Sequence, residues 1–434
     1  MTPLTIAIIC FIVFVVLLFI GVQVAFSFAI AGFGGLVAIA GLEPSLVVIG
    51  NAIVANTSKE MLIAIPLFVF MGFLVLVSEI GNELYKVANI WLGRMPGGLA
   101  QATTAACAGF AACTGDSLGA TATMASISYP ILRKYNYDDK LSTACTAVGG
   151  TLGILIPPSV PMITYGFLAS VSTGALFVAG ILPGIVVCMC LMLVTGIMCK
   201  HNPLLGPKSS YKYTLKEKFK AINAGVWYVL FLFLLIIGGL YFGIFAPSEA
   251  GAVGAMGAFG IVIMRKKLTL ASLKTALLGA CKIACFLFTM IACAIMFQMM
   301  LVMAGFMSKL HGYMNGLDIS PYAILIIVIV IWTIMGMFME QLAIQLLTVP
   351  IFAPVIAAQG FDLVWFGIIS IIVAEMGILT PPVGINCFVV SNITGVPAKD
   401  VFRGVMPYLG ALTIALVIMI VFPQIALVLP QTMR

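Results

Sequence analysis

Two pairs of adjacent prolines, Pro157-Pro158 and Pro381-Pro382, interrupt otherwise apolar stretches of this 434-residue chain. Proline removes a backbone donor and clashes with the preceding helical turn, so each pair predicts that one half-helix ends and another begins. In lipid, the freed carbonyls and amides are tolerated only inside protein or beside a hydrated cavity. Such a break presents a negative helix end, which attracts cations, and a positive helix end, which attracts anions. The prolines therefore predict a binding site within the membrane.

Four acidic residues lie in or at the edges of apolar segments, where a carboxylate is costly and is usually functional. Asp116 and Glu340 fall at the tips of two candidate hairpins, and Glu375 lies just before the second proline pair. These three are candidates for binding a cation or for lining a substrate site. Glu249 follows Ala-Pro-Ser, so we interpret it as a helix cap at a membrane edge.

No lysine or arginine falls in the middle of a predicted span. An anionic substrate would therefore depend on half-helix N-termini, on bound cations, and on groups such as Ser159, Thr164 and Asn386. Sodium suits this chemistry because carbonyl oxygens at helix breaks can coordinate it. The candidate side-chain ligands for sodium are those of Asp116, Ser117, Thr151 and Thr380.

Composition places most of the chain in a membrane. The sequence is 63% hydrophobic and 8% charged, with a mean hydropathy of +1.22, and a soluble domain cannot bury so much apolar surface. The net charge of +7 gathers in short clusters between apolar spans, which indicates membrane orientation and no nucleic-acid partner. Placing the basic clusters in the cytoplasm puts both the N-terminus and the C-terminus outside.

The two halves of the chain repeat one plan. Pro157 and Pro381 are separated by 224 residues (381 − 157 = 224), and so are the acids Asp116 and Glu340 (340 − 116 = 224). The distribution of cations places the first hairpin on the cytoplasmic side and the second on the outer side. Inverted repeats with interruptions at corresponding positions indicate a secondary transporter.

These features predict an all-α polytopic membrane protein with inverted repeats, two re-entrant helical hairpins and two broken transmembrane helices. We expect a second surface arm helix near 268–280, separate from a span at 282–307. The predicted segments are 1–96 (N-terminal scaffold helices and a first arm helix), 97–172 (cytoplasmic-side hairpin and first broken helix), 173–320 (scaffold helices, a cytoplasmic loop at 200–222 and the second arm helix), 321–395 (periplasmic-side hairpin and second broken helix) and 396–434 (C-terminal helix).

Four motifs resemble those of the large membrane subunit of tripartite ATP-independent periplasmic (TRAP) transporters, and the similarity covers essentially the whole chain. The motifs are TGDSLGATATMASISYPIL at 114–132, GGTLGILIPPSVPMITYG at 149–166, MGMFMEQLAIQLLTVPIF at 335–352 and GILTPPVGINCFVVS at 377–391. The resemblance implies a sodium-driven, elevator-type importer of organic acids in the bacterial inner membrane. It also implies a heterodimer with a small membrane subunit, surrounding membrane lipids, and a periplasmic substrate-binding protein that delivers the solute.

The resemblance further implies two or more sodium ions, one near each hairpin tip and its break. The residues expected at the sodium sites are Gly115, Asp116, Ser117, Gly150, Thr151 and Pro157 for the first, and Gly336, Met337, Glu340, Gly377, Thr380 and Pro381 for the second. The residues expected to contact the substrate are Ser117, Pro158, Ser159, Thr164, Glu375, Pro382 and Asn386.

One departure from the family's pattern concerns the first tip. The family's motif there is usually Ser-Gly-Ser-Ser, whereas this chain has Thr114, Gly115, Asp116 and Ser117. A carboxylate at this tip could strengthen a cation site, accept a proton, or reflect a different substrate.

The predicted function is translocation of a small organic anion, expected to be a carboxylate, with a sulfonate or a sugar acid left open. The alternatives are an anion channel and an ion-coupled transporter that works without a binding protein. A channel usually shows subunit symmetry rather than two inverted hairpins in one chain. A membrane enzyme is disfavoured because the sequence has no H-E-x-x-H pattern.

Overall fold

The computed structural model describes residues 2–208, 213–222, 225–306, 309 and 320–433, and the regular elements among them are all helical. Parts of the predicted segment 173–320, including residues 310–319, lie outside this description. The first helices are α1 (Pro3–Phe19), α2 (Val24–Ala40), α3 (Leu42–Thr57), α4 (Glu60–Val77) and α5 (Ile80–Leu92).

The first repeat consists of a helical hairpin followed by a broken helix. The hairpin is α6 (Gly98–Thr114) and α7 (Ser117–Lys134), and the broken helix is α8 (Asp139–Leu155) and α9 (Val160–Ala169). The two halves of the broken helix are bent by 42°, which confirms the interruption predicted from the first proline pair.

The helices that connect the repeats are α10 (Thr173–His201), α11 (Leu215–Ile222), α12 (Val226–Phe233), α13 (Gly239–Tyr241), α14 (Pro247–Met264) and α15 (Leu270–Met303), with a π-helical turn (Leu234–Gly238) between α12 and α13. The arm helix expected near 268–280 is instead the beginning of α15, a continuous helix of 34 residues. Gly279, where the two parts were expected to separate, packs closely against the ring of Phe73 in α4 and does not interrupt the helix.

The second repeat has the same order of elements. Its hairpin is α16 (Pro321–Gly336) and α17 (Gln341–Ala358), and its broken helix is α18 (Leu363–Gly377) and α19 (Ile385–Thr394), followed by α20 (Ala398–Val421) and α21 (Gln424–Leu427). Helix α17 begins and ends 224 residues after α7 (341 − 117 = 224; 358 − 134 = 224), so the repeat predicted from single letters extends to whole helices.

The same local chemistry starts both broken helices. The Asp138 carboxylate accepts hydrogen bonds from the first-turn amides of α8 at 2.9 and 3.1 Å. Asp362, at the equivalent position (362 − 138 = 224), accepts from the first-turn amides of α18 at 2.7 and 3.0 Å. Each carboxylate satisfies amides that have no partner within the helix, so each broken helix begins at a fixed residue. Glu249 likewise accepts from the Ala246 amide at 2.8 Å, as its predicted capping role requires.

Six described helices are long and apolar enough to cross a membrane, or up to eight if each bent pair counts as one span. Five of these crossings separate the first hairpin from the second: the α8–α9 pair, α10, the bent pair that includes α12, α14 and α15. An odd number of candidate crossings agrees with the prediction that the bases of the two hairpins lie on opposite sides of the membrane. The chain is thus a multi-pass membrane protein with inverted repeats.

The two repeats exchange packing partners. Helix α7 of the first hairpin packs against α19, while α17 of the second hairpin packs against α9. Each hairpin therefore rests on the second half of the other repeat's broken helix, which brings both tips and both breaks to the centre of the fold.

Charged contacts fasten α5 to the end of α14. Arg265 donates to a Glu83 carboxylate oxygen and to the Ser78 carbonyl, both at 2.8 Å. Lys267 donates to Glu79 at 2.8 Å, and this hydrogen bond, together with the lysine's charge, lowers the pKa of the Glu79 carboxyl. The Glu79 pair is exposed and contributes little stability, whereas the better buried Arg265 contacts fix where α5 starts.

Candidate functional site

A cavity of about 390 Å³ lies where the two hairpin tips meet the two helix breaks. Helices α4 and α15 close its remaining side, with the apolar side chains of Val69, Phe73, Ile283, Phe286 and Leu287. The residues of the tips and breaks that line it include Thr114, Gly115, Asp116, Ser117, Ile154, Val160, Glu340, Gln341, Ile378 and Asn386. A mostly apolar pocket with a few convergent polar groups is the usual form of a small-molecule site.

The first tip is a tight turn held against the first break. Gly115 has φ +63°, and a Cβ added there would lie 2.5 Å from the Pro158 carbonyl oxygen. The Gly115 carbonyl accepts a hydrogen bond from the Val160 amide at 3.3 Å. Asp116 is the N-cap of α7, where its Oδ2 accepts from the Gly119 amide at 2.6 Å. The carboxylate that departs from the family's motif therefore both caps α7 and faces the cavity.

The second tip places a carboxylate in the same cavity without using it as a cap. Glu340 occupies the N-cap position of α17 but makes no capping hydrogen bond. The Met337 carbonyl of this tip accepts from the Val383 amide of the second break at 3.3 Å. At the base of the tip, Gly336 and Gly377 are so close that a Cβ on Gly336 would lie 2.8 Å from the Gly377 Cα.

A hydrogen bond joins the two repeats at the cavity wall. The Asn386 Nδ2 donates to the Ser117 Oγ at 2.7 Å. The other amide atom, Asn386 Oδ1, is buried and has no partner among the described residues. Both amide atoms of the buried Gln341 are also without a partner in the described part of the chain. The cavity therefore has unsatisfied acceptors in its wall, and such groups are rare unless a ligand or water completes them.

The two breaks satisfy their freed carbonyls differently. Both contain a cis bond between their prolines. In the first break, residue 158 is a proline and cannot donate to the Ile154 carbonyl, so the Ser159 hydroxyl donates to it instead, at 2.6 Å. In the second break, the equivalent residue is Val383 (383 − 159 = 224), which has no hydroxyl.

Five of the predicted site residues meet in the cavity: Gly115, Asp116, Ser117, Glu340 and Asn386. Three further hydroxyls expected to bind ligands do not line the cavity and donate to carbonyls of their own segment, which leaves their oxygen lone pairs as acceptors: Thr151 to Val148 at 2.8 Å, Thr164 to Val160 at 3.2 Å, and Thr380 to Met376 at 2.6 Å. Gly150 lies within α8 and packs against Thr121 of α7. The other predicted residues belong to the tips and breaks, and like Gly150 they do not line the cavity wall: Pro157, Pro158, Ser159, Gly336, Met337, Gly377, Pro381 and Pro382.

Glu375 lies apart from the cavity. Its side chain is fully buried in α18, and neither carboxylate oxygen has a hydrogen-bond partner among the described residues. The structure therefore does not place it in contact with a ligand in the central cavity.

Sequence reasoning missed part of the cavity. Phe73 and Phe286 lie in long apolar helices where nothing in the letters distinguishes a cavity wall from a lipid-facing side. Gln341 did carry a signal, since it is an amide next to Glu340 at the start of an apolar segment.

The lining groups suit a hard monovalent cation together with an organic solute. Oxygen atoms of carboxylates, hydroxyls, amides and backbone carbonyls dominate the polar part of the wall, and no lysine, arginine or histidine lines it. The described residues contain no group of three or more His, Cys, Asp or Glu side chains that could hold a metal ion.

Comparison with known proteins gives concordant matches. A family model described as "Tripartite ATP-independent periplasmic transporter, DctM component" matches residues 11–425. The chain is 34% identical over 371 residues to a C4-dicarboxylate TRAP transporter large permease protein of Pseudomonas aeruginosa, covering 85% of this chain and 86% of the relative. It is 31% identical over 371 residues to the sialic acid TRAP transporter large permease protein of Vibrio cholerae, with the same coverage. The crystal structure of the Alcanivorax borkumensis YdaH transporter has the same fold, with a TM-score of 0.64 at 12% identity over 89% of this chain and 90% of that one.

Proposed function

Because the chain belongs to the DctM family of TRAP transporter membrane components, we propose that it is the translocation subunit of a sodium-coupled importer of a small organic anion. Membership makes it a multi-pass permease of the inner membrane and not an enzyme. The family also works with a small membrane subunit and a periplasmic binding protein. We propose that the small subunit forms a heterodimer with this chain, that the binding protein delivers the solute, and that both termini of the chain face the periplasm.

The charge of the cavity carries the proposal of cation coupling. Asp116 and Glu340 both line it, and none of the described residues that line it is basic. Two like charges about 4 Å apart repel by roughly 4 kcal/mol at an effective dielectric constant of about 20. Each carboxylate would repel an organic anion in the cavity in this way, unless a cation entered the cavity together with the anion. Transport of sodium with the anion removes the repulsion, and the oxygen-rich wall suits sodium as a co-transported ion.

The sodium ions would be held at the tips and breaks. Asp116, Ser117 and Glu340 offer side-chain oxygens there, and the Ile378 carbonyl lost its helical partner to Pro382. Bound sodium would supply the positive charge that draws an anionic solute to the half-helix N-termini at Val160 and Ile385.

The packing supports an elevator movement. Both hairpins and both broken helices pack on one another, whereas α4 packs on α14 and α15. The cavity lies between these two groups of helices, so movement of one group past the other would carry a bound solute with it. In this proposal the segments 97–172 and 321–395 move, and the other segments form the scaffold.

A carboxylate is the solute class we propose. The Pseudomonas aeruginosa relative is named for C4-dicarboxylates and the Vibrio cholerae relative for sialic acid, and both solutes carry carboxylate groups. A sulfonate and a sugar acid have the same charge and are the alternatives.

The test is uptake of radiolabelled succinate and sialate into proteoliposomes that contain the chain with its small subunit, with the binding protein added outside. We expect saturable uptake that requires both an inward sodium gradient and the binding protein. Glu340→Gln should abolish uptake, whereas Glu249→Gln, at a cap outside the cavity, should retain it. Equal uptake without sodium would refute the coupling, and non-saturable flux without the binding protein would favour a channel.

A further inference from the structure

The two hairpin tips each contribute one carboxylate to a single cavity. Asp116 belongs to the first repeat and Glu340 to the second, and both line the cavity wall. Neither takes part in any of the ion pairs found among the described residues. Two carboxylates without counter-ions in a mostly apolar cavity are stabilised either by a proton or by a cation between them.

An independent observation points to the same ligand. Asn386 is completely buried, and its Nδ2 is committed to the Ser117 hydroxyl at 2.7 Å. The same Nδ2 lies 3.5 Å from the Ala147 carbonyl, which can only accept, and this contact orients the amide. The Oδ1 atom, without a partner in the described chain, is then left as an acceptor at the cavity wall. Gln341 adds a second unpartnered amide oxygen at the second tip. The Gln341 Nε2 is an unpartnered donor beside them, whereas the Asn386 Oδ1 and the two carboxylates supply only acceptor oxygens, which fit a cation.

Capping explains only one of the two carboxylates. One oxygen of Asp116 is engaged by the Gly119 amide, but Glu340 makes no capping hydrogen bond at the start of α17. Helix capping therefore leaves the Glu340 carboxylate free to bind a ligand, and Asp116 can hold one without giving up its cap.

We propose that Asp116, Glu340 and the Asn386 amide oxygen bind one monovalent cation between the two tips. This site is additional to any cation that a tip holds with its own break, and it rests on the proposed function. It depends on Asp116, where this chain departs from the serine usual in the family's motif, so it is a property of this chain. The bound cation draws the tips of opposite repeats together and removes the charge that repels an anion. Solute then enters only after the cation, which prevents movement of the tips with solute alone.

Sodium-dependent thermal unfolding of the purified chain with its small subunit tests this site. Sodium chloride is titrated against choline chloride at constant ionic strength. Asp116→Asn removes the charge but keeps a good N-cap residue, Glu340→Gln removes the other charge, and Glu249→Gln is the control. Because charged oxygens bind cations much more strongly than neutral ones, each cavity variant should raise the half-saturating sodium concentration by about tenfold or more. The Glu249→Gln variant should match the wild type.

A double variant distinguishes one shared site from two separate ones. If both carboxylates hold the same ion, either single variant should remove one sodium ion from the dependence of the unfolding free energy on the logarithm of sodium concentration, and the double variant should remove no more. Loss of a second ion in the double variant would show separate sites and overturn the proposal, and so would unchanged midpoints in both single variants. If Asp116→Asn does not fold, Asp116→Ser, which restores the family's residue, takes its place. A wild-type protein that does not respond to sodium at all would instead refute the proposed function.

Discussion

The two helix breaks occupy equivalent positions in the repeats, yet their surroundings differ. In the first break, Pro157, Pro158 and Ser159 are all buried, whereas Pro381, Pro382 and Val383 in the second are exposed. The buried break also provides its own donor, because the Ser159 hydroxyl takes the Ile154 carbonyl at 2.6 Å. In the second break, no donor among the described residues reaches the corresponding Ile378 carbonyl.

The two breaks therefore share a backbone course but differ in the side chains that satisfy their carbonyls. The first break is closed by its own side chain and by the neighbouring tip. The second break keeps an unsatisfied carbonyl at a cavity-lining residue, Ile378, and a free carboxylate, Glu340, at its tip. Unsatisfied acceptors attract cations, so the second half of the cavity is the more strongly cation-attracting one.

We expect the greatest loss of stability from a substitution where the first tip contacts its break. Gly115→Ala places a Cβ at a positive φ and 2.5 Å from the Pro158 carbonyl oxygen, so we expect the free energy of unfolding to fall by about 2–4 kcal/mol. Gly395→Ala is the matched control, since Gly395 has φ +75° with open space around it and should cost about 1 kcal/mol. Unfolding in detergent measures both. Equal losses would mean that the first tip does not press on its break.

The sequence predicted the course of the backbone better than it predicted the positions of the side chains. The letters predicted both hairpins, both breaks and the offset of 224, because proline and periodic apolar residues act locally on the backbone. They did not predict which side chains face the cavity. Thr151, Thr164 and Thr380 were candidates as ligands, but none of them lines the cavity, and each hydroxyl donates to a carbonyl of its own preceding turn. Glu375 was a candidate because it precedes a break. Whether its side chain faces the cavity depends on the rotation of α18 about its own axis, which the sequence does not specify.

The next prediction concerns the hydroxyl group that the first break has and the second break lacks. Ser159→Ala leaves the buried Ile154 carbonyl without a donor, and we expect a loss of about 1–3 kcal/mol in unfolding free energy. Val383→Ser, which copies the first break into the second, should change stability little and should weaken the response of the unfolding temperature to sodium. A stable Ser159→Ala protein, or a Val383→Ser protein with an unchanged sodium response, would remove the distinction between the breaks.

The smallest expected loss of stability concerns one hydrogen bond of the second hairpin. In the second hairpin, Pro350 stands where the first has Ser126 (350 − 126 = 224), and it frees the Leu346 carbonyl, which accepts from Gln298 of α15 at 2.7 Å. Gln298→Leu should lower the unfolding free energy by about 0.5–1.5 kcal/mol because this hydrogen bond is lost.

A double-variant cycle on the second hairpin provides the control. Pro350→Ala restores an amide that can donate to the Leu346 carbonyl within α17, so in that background Gln298→Leu should cost less than in the wild type. The same cost in both backgrounds would show that Gln298 acts through packing and not through the freed carbonyl.

The contact between Gly336 and Gly377 has a mechanical consequence. Where a Cβ on either glycine would come within 2.8 Å of the other's Cα, the backbones of α16 and α18 meet with no side chains between them that could repack. Such an interface has one spacing and admits little sliding. The second hairpin is therefore held against α18 by direct backbone contact where its first helix ends.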